Sequence, residues 1–307
     1  MDSILTQAQE ALLKQTRDAL GRLRDTLADS ATDPAGRAAL IDSIRQLDEL
    51  FLLVIAGEFN SGKSAFINAL LGQTLQTEGV TPTTDQIYLL RYGDTTQRRP
   101  GENGVWVQTA PVDLLSKITV VDTPGTNAIM REHEALTAEF IPRSDLVLFV
   151  TSADRPFTES ERGFLEQIRN WGKKIVLVIN KIDILSPAEV EQVVAFVTSA
   201  AQALIGDVGA VFPVSARLAQ MAKKGHPEQW GPSRFEPLER YIHETLDDEG
   251  RFRLKLLNPL GVGGRLIREQ LEHVNADLAT LASDTTLLDD IRGQMVYYDD
   301  DMKRNFQ

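Results

Sequence analysis

The sequence predicts an α/β domain with a mostly parallel sheet flanked by helices, plus an α-helical bundle contributed by both chain ends. Three observations carry this. Short apolar runs alternate with helical patterns through the middle of the chain, and runs that are apolar at every position suit strands buried on both faces of a parallel sheet. Both ends read as helix. The composition, 42% hydrophobic and 25% charged over 307 residues, is that of a folded chain long enough for one large domain or two ordinary ones.

Positions 1–48 are expected to form the N-terminal helices. Leu5, Ala8, Leu12, Ala19, Leu23 and Leu27 recur at spacings built from threes and fours, the mark of one helical face. Thr32-Asp33-Pro34-Ala35-Gly36 breaks the pattern, and aspartate before proline starts a second helix with the stripe Leu40, Ile44, Leu47 and Phe51. The result is a helical hairpin or one kinked helix. Positions 49–247 are expected to form the α/β domain. Buried strands are expected at 51–57, 118–122, 145–150, 174–180 and 210–215, with helices at 63–71, 129–141, 159–171, 187–205 and 235–246. Positions 88–93 and 104–109 read as two more strands around the polar turn Arg98-Arg99-Pro100-Gly101-Glu102-Asn103-Gly104.

Positions 248–307 return to helix. Leu238, Tyr241, Thr245, Phe252 and Leu256 form one stripe, which Asn258-Pro259-Leu260-Gly261 is expected to interrupt. Ile267, Leu271, Val274, Leu278, Leu281 and Leu288 then keep a 4-3-4-3 spacing with Thr285 in the polar slot. That is a narrow seam of the kind that packs on other helices. It runs nearly to Gln307 without a capping signal, so the chain reads as a piece whose last helix continues in the natural protein.

Zero cysteines exclude a disulfide scaffold, a thiol nucleophile, a thiolate zinc site and an iron–sulfur centre. A net charge of −12 argues against a broad nucleic-acid-binding face, which needs clustered Lys and Arg. No stretch approaches the roughly 20 apolar residues that span a bilayer, and the N-terminus lacks a basic start and an apolar signal core. A soluble cytoplasmic protein is expected, with any membrane contact peripheral or made by parts outside this chain.

Gly57-Glu58-Phe59-Asn60-Ser61-Gly62-Lys63-Ser64 matches G-x-x-x-x-G-K-[ST] between an expected strand and an expected helix. Glycines let backbone N–H groups face phosphates, and the helix N-terminus adds positive potential. Residues 57–64 and Ala65 are therefore expected to contact nucleotide. Lys63 reaches the β and γ phosphates and the Ser64 hydroxyl ligates Mg²⁺. Asp122-Thr123-Pro124-Gly125 ends the next strand: a carboxylate there can hold Mg²⁺ through water, and the Gly125 N–H can meet the γ-phosphate. Asn180-Lys181-Ile182-Asp183 ends another. An aspartate accepts both N1–H and the 2-amino group of guanine, whereas adenine leaves it unpaired. Ser215-Ala216-Arg217 follows the last strand, where a backbone N–H would face the guanine 6-oxygen. Singly, D-x-x-G is ordinary turn chemistry and Ser215 an ordinary helix cap; the ordered set carries the inference.

This set resembles the GTPase superfamily at each of its five motifs. The resemblance implies a magnesium-binding threonine between the first two motifs, here Thr84 with Thr83 second. The residue after the DTPG motif is Thr126, where Ras-like enzymes carry a water-orienting glutamine. The span of the domain and the flanking helices, together with GEFNSGKSAFINALLG and GVTPTTDQIYLLRYG, look similar to the dynamin superfamily, nearest the bacterial dynamin-like and mitofusin (fuzzy-onion-like) branch. What the resemblance implies is a Mg²⁺-dependent GTPase that forms a homodimer across its nucleotide face and couples hydrolysis of GTP to GDP to movement of a helical neck. Full-length relatives remodel membranes by fusion, fission or tethering. Asn60 stands where many dynamins carry a water-positioning serine, Lys181 packs over the base, and Asp154 or Arg155 occupies a loop that reaches the partner's nucleotide.

Two alternatives remain at this level. One is a GTP-dependent switch that recruits a protein partner; the other is a ribosome- or RNA-associated GTPase of the Era type, against which the acidic charge counts. Gly261-Val262-Gly263-Gly264 follows a helix rather than a strand, so it reads as a hinge and not a dinucleotide loop. Arg251, Arg253 and Lys255 read as a helix with solvated charges or a contact for anionic lipid. Asp299-Asp300-Asp301 reads as a solvated acidic end, the four histidines share no ligand spacing, and Trp171 and Tyr241 read as core.

Overall fold

The computed structural model describes residues 7–28, 34–58, 60–76, 87–101, 104–123, 140–171, 173–206, 208–245 and 248–305. Its centre is one eight-stranded sheet made of β1 (Phe51–Ala56), β2 (Tyr88–Tyr92), β3 (Gln97–Pro100), β4 (Trp106–Ala110), β5 (Ile118–Asp122), β6 (Leu146–Ser152), β7 (Ile175–Asn180) and β8 (Ala210–Pro213). The order is β3-β4-β2-β5-β1-β6-β7-β8. Strands β5, β1, β6, β7 and β8 run parallel, while β2 pairs antiparallel with β5 and parallel with β4. The parallel strands β1, β5, β6 and β7 are buried at every position. This is why their sequences show no apolar–polar alternation.

The helices are α1 (Gln7–Ala28), α2 (Pro34–Arg45), α3 (Lys63–Leu71), α4 (Asp113–Lys117), α5 (Glu159–Asn170), α6 (Pro187–Ile205), α7 (Ala216–Lys223), α8 (Trp230–Ser233), α9 (Phe235–Thr245) and α10 (Asp248–Asn305). Helices α5 and α6 each start on a full capping box, Thr158 with Glu161 and Ser186 with Glu189. One side of the sheet packs on α3 and α9, with Phe66 and Phe235 fully buried and their ring centroids 5.7 Å apart. Complete burial of such a ring contributes roughly 1.5–3 kcal/mol.

The expected strands and helices of the domain appear within one or two residues of their bounds, except that 129–139 lie outside the described residues. Four expectations are corrected. The turn after β2 contains an additional strand, β3, which pairs antiparallel with β4. All four of its residues are exposed, so it lacks the apolar signature of a strand, and its proline sits on the open edge where no ladder bond is lost. Helices α4, α7 and α8 were not expected from the sequence. In α1 the inward face is Thr16, Leu20 and Leu27, whereas Leu12 and Ala19 are exposed; the apolar stripe read from the sequence is rotated from the true one.

The fourth correction concerns residues 258–264, expected to break the helix and act as a hinge. Helix α10 runs unbroken for 58 residues with Pro259 inside it. An interior proline costs about 3 kcal/mol, and a buried network anchors the helix just there. Asn258 Nδ2 donates to Asp145 Oδ1 at 2.8 Å and to the Ser144 carbonyl. Lys173 Nζ donates to the carbonyls of Pro142 at 2.6 Å and Ser144 at 3.1 Å and to Asn258 Oδ1 at 3.3 Å. Lys255 Nζ lies 3.7 Å from Asp145 Oδ2, so this member of the basic cluster faces a buried acid rather than solvent. Gly263 serves close packing instead of backbone freedom: a Cβ there would lie 2.9 Å from Leu23 Cδ2 of α1. The chain divides into two compact units, 1–263 and 264–307, within α10. In the second, Ile267, Leu271, Val274, Leu278, Leu281 and Leu288 are all exposed. Among the described residues, no helix is long and apolar enough to cross a membrane.

Candidate nucleotide site

The loops after β1, β5, β6, β7 and β8 leave the same edge of the sheet, because those strands are parallel. That edge, at the carboxyl ends of parallel strands, is where α/β sheets bind ligands. The sequence motifs therefore meet without further folding.

The loop between β1 and α3 is built on two glycines that no other residue could replace. Gly57 has φ 150°, and a Cβ there would lie 2.0 Å from the Val150 carbonyl oxygen of β6. Gly62 has φ 86°, and its Cβ would lie 2.4 Å from Asn180 Nδ2. Lys63 is buried, and its Nζ donates to the carbonyls of Gly57 and Glu58, both at 3.0 Å. Burial lowers its pKa to about 8 against the pull of Asp122, Glu161 and Glu58. Ser64, half-buried, is the second residue of α3, and Asn60 is exposed at the loop tip with φ 63°, a conformation asparagine tolerates. Ala65 gives its carbonyl to Gln220 Nε2 at 3.0 Å, which braces α3 on α7. Phe59, Thr83, Thr84 and Gly125 lie outside the described residues.

Asp122 ends β5 fully buried, and neither carboxylate oxygen has a well-aligned hydrogen-bond partner among the described residues. Burial pushes its pKa up to about 7, with Lys63, the Thr123 N–H and Arg98 acting in the opposite sense. An orphaned buried carboxylate beside a buried lysine is costly and fits a hydrated cation placed between them. Among the described residues no cluster of three or more acids or histidines could hold a metal, and the unpartnered Asp122 carboxylate is the group whose chemistry fits Mg²⁺.

The base end is more occupied than the sequence suggested. Asn180, expected to share in guanine selection, commits its amide to the fold: Nδ2 donates to the Ser61 carbonyl at 3.0 Å, and Oδ1 accepts from the Ala216 N–H at 3.0 Å. The Ala216 N–H, expected to face guanine, is thus held by Asn180. Asp183 Oδ1 accepts from Ser215 Oγ at 2.5 Å, and its Oδ2 accepts from Arg217 Nη2 at 2.7 Å and Nε at 3.0 Å. Burial pushes the Asp183 carboxyl up, but Ser215 and Arg217 outweigh it and hold the group below the ordinary aspartate value. Lys181, at φ 66°, places Nζ 3.8 Å from Asp154 Oδ1. Asp154 also accepts from Ser152 Oγ, while Arg155 is largely exposed.

Two features escaped the sequence reading. Glu58 reaches across to the start of α5, where Thr158 Oγ1 donates to Oε2 at 3.0 Å and Ser160 Oγ to Oε1 at 2.9 Å. Beneath it Glu161 is buried, accepting from Thr151 Oγ1 at 2.9 Å and the Thr158 N–H at 3.0 Å; burial pushes its pKa up to about 7. The capping-box spacing of Thr158 and Glu161 was the available signal. Nothing in the sequence marks the reach of Glu58 over a hundred residues.

The chain is similar to known GTPases. The family described as 50S ribosome-binding GTPase matches residues 52–181. The chain is 39% identical over 278 residues to a probable transmembrane FZO-like GTPase of Arabidopsis thaliana, covering 82% of this chain and 30% of that protein. It is 28% identical over 187 residues to dynamin-like protein 2 of Campylobacter jejuni, covering 52% of this chain and 30% of that one. A solved structure, described as an oligomerised bacterial dynamin pair that provides a mechanism for long-range sensing and tethering of membranes, superposes with a TM-score of 0.58 at 17% identity, over 96% of this chain and 52% of that chain. The chain therefore spans between about a third and a half of the length of these relatives. With the phosphate loop, the orphaned aspartate and the Asp183 carboxylate on one sheet edge, the chain is a P-loop GTPase of dynamin-like fold, similar in sequence to the fuzzy-onion-like and bacterial dynamin-like GTPases.

Proposed function

We propose that this chain hydrolyses GTP with Mg²⁺ and that its site is completed by a second copy docking across the nucleotide face. Hydrolysis moves the helices α1, α2 and α10 against the GTPase domain. The full-length protein, cytoplasmic and peripheral to a membrane, uses that movement to fuse, cut or tether membranes. The observation that supports the reading best is the buried Lys63–Asp122 pair at the open end of the parallel strands, with Asp183 on the same edge.

Backbone N–H groups of residues 58–63 cradle the phosphates. A triphosphate restores full charge to Lys63, whose amine then stabilises the charge that builds on the β–γ bridge. Mg²⁺, held by Ser64, Thr84 and, through water, Asp122, would neutralise β and γ oxygens. Asn60 is exposed at the loop tip, where its amide can hold the attacking water. The Gly125 N–H meets the γ-phosphate, and Asp183 reads the base. Asp154 and Arg155 lie on the loop that would face the partner's nucleotide.

The test is GTP turnover per subunit at rising protein concentration, with ATP and Lys63→Ala as controls. A rate that climbs, with both controls inert, is expected. A flat rate sinks completion by dimerisation and favours a switch that awaits a protein partner.

A further inference from the structure

We infer that Arg217 is a built-in stand-in for guanine: its guanidinium occupies the Asp183 oxygen that the base must bind, and nucleotide enters by displacing it. The inference deepens the guanine reading of this site and rests on it.

The chemistry of the two donors is the same. Arginine Cζ and guanine C2 are both carbons bonded to three nitrogens, and each offers two N–H groups side by side. Guanine presents N1–H and its 2-amino group; Arg217 presents Nε–H and Nη2–H, both now directed at Asp183 Oδ2 at 3.0 and 2.7 Å. The other oxygen is held by Ser215 at 2.5 Å. The Asp183 side chain is only 8% exposed with the arginine in place, so the guanidinium covers the carboxylate that the base would need.

Arg217 itself is 66% exposed, and among the described residues its guanidinium pairs with Asp183 alone. It sits at the second position of α7, whose start is fixed by Ser215 Oγ accepting from the Leu218 N–H at 3.2 Å. The side chain can therefore leave without disturbing the helix. Displacement costs one exposed ion pair, and the guanine that arrives supplies the same two donors. Since the arginine must leave before any base can bind, it reduces the apparent affinity for every nucleotide by the same factor, the fraction of sites left open.

The test is stopped-flow binding of a fluorescent GDP analogue to the 307-residue chain and its Arg217→Ala, Arg217→Lys and Asp183→Asn variants, repeated with inosine diphosphate as competitor. Arg217→Ala is expected to speed association and tighten binding about twofold to fivefold, the range an exposed pair spans. Dissociation stays unchanged, and the factor is equal for GDP and inosine diphosphate. Arg217→Lys, which has no fork, falls between. Faster dissociation from Arg217→Ala would mean that the arginine touches bound nucleotide, and unchanged association would mean that it blocks nothing; either result overturns the stand-in. A wild-type chain that binds GDP no better than ADP, or an Asp183→Asn variant that keeps wild-type affinity for GDP, overturns the guanine reading and the stand-in with it.

Discussion

Two buried lysine–aspartate clusters sit at opposite ends of the same parallel strands. At the carboxyl end, Lys63 and Asp122 face the phosphate loop; at the amino end, Lys173, Lys255 and Asp145 anchor the start of α10. Burial lowers the Lys63 and Lys173 amines, to about 8 and about 7, and raises both aspartates. The difference is in the partners. Asp145 accepts from the Leu52 N–H at 2.8 Å and from Asn258, and Lys173 meets two carbonyls and an amide oxygen. Asp122 has no well-aligned donor among the described residues. The contrast therefore lies in the two carboxylates, since Lys255 Nζ, 3.7 Å from Asp145, also lacks an aligned acceptor among the described residues, and a buried carboxylate without donors is the costlier of the two.

The comparison breaks most readily at its amino end. Asp145→Ala strands the Leu52 N–H, the Asn258 amide and Lys255, and removal of one member of a buried ionic group costs about 3–5 kcal/mol. Urea unfolding should show that loss, and nucleotide affinity at low denaturant should persist in the folded fraction. At the carboxyl end the effect reverses. Lys63→Ala should cut GTP turnover by about a hundredfold to a thousandfold, the size typical of losing one preorganised donor to a developing charge. Its urea midpoint should fall less than that of Asp145→Ala, because the loss of two carbonyl bonds and of the charge beside Asp122 is partly offset by the removal of a desolvated amine.

Glu161 sharpens the contrast by pH. Its folded pKa is raised from 4.5 to about 7, so the folded protein keeps a proton that the unfolded chain loses across that interval. Wild-type stability should therefore fall as pH rises from about 4.5 to 7 on this account. Glu161→Gln removes the dependence, and its advantage in melting temperature should grow through the same window and stay level above it. The smallest effect is expected from Thr158→Val, which removes one bond to Glu58 and the cap of α5 and costs about 1 kcal/mol. Its diagnostic is weaker GTP binding out of proportion to that loss. Unchanged binding would mean that the Glu58 bridge does not steady the phosphate loop.

Much of this could be read from residue order. Apolar runs such as Leu146–Val150 could only be buried strands, and Gly57 and Gly62 stood where backbone must approach phosphate. Exposed β3 was invisible because an edge strand with both faces in water keeps no apolar alternation. Pro259 misled because a helix breaker is judged by local rules, while the network that overrides it joins residues more than a hundred positions apart, Asn258 with Ser144 and Asp145. Separation in sequence also hid the clamp between Arg217 and Asp183, 34 positions apart, and the reach of Glu58 across 100. The motifs pointed to the groups that meet on one sheet edge; the partners those groups take within the fold depended on tertiary contacts.

The Asn180 bridge to the Ser61 carbonyl, with its amide filling the space beside Gly62, acts as a ruler. It sets the gap between the turn that grips phosphate and the turn that reads the base, and that gap must match one ribose. A nucleotide whose sugar is lengthened, or a protein in which Gly62 becomes alanine, misfits at both ends together. The two motifs therefore cannot drift independently, and a change in one is tolerated only with a compensating change in the other.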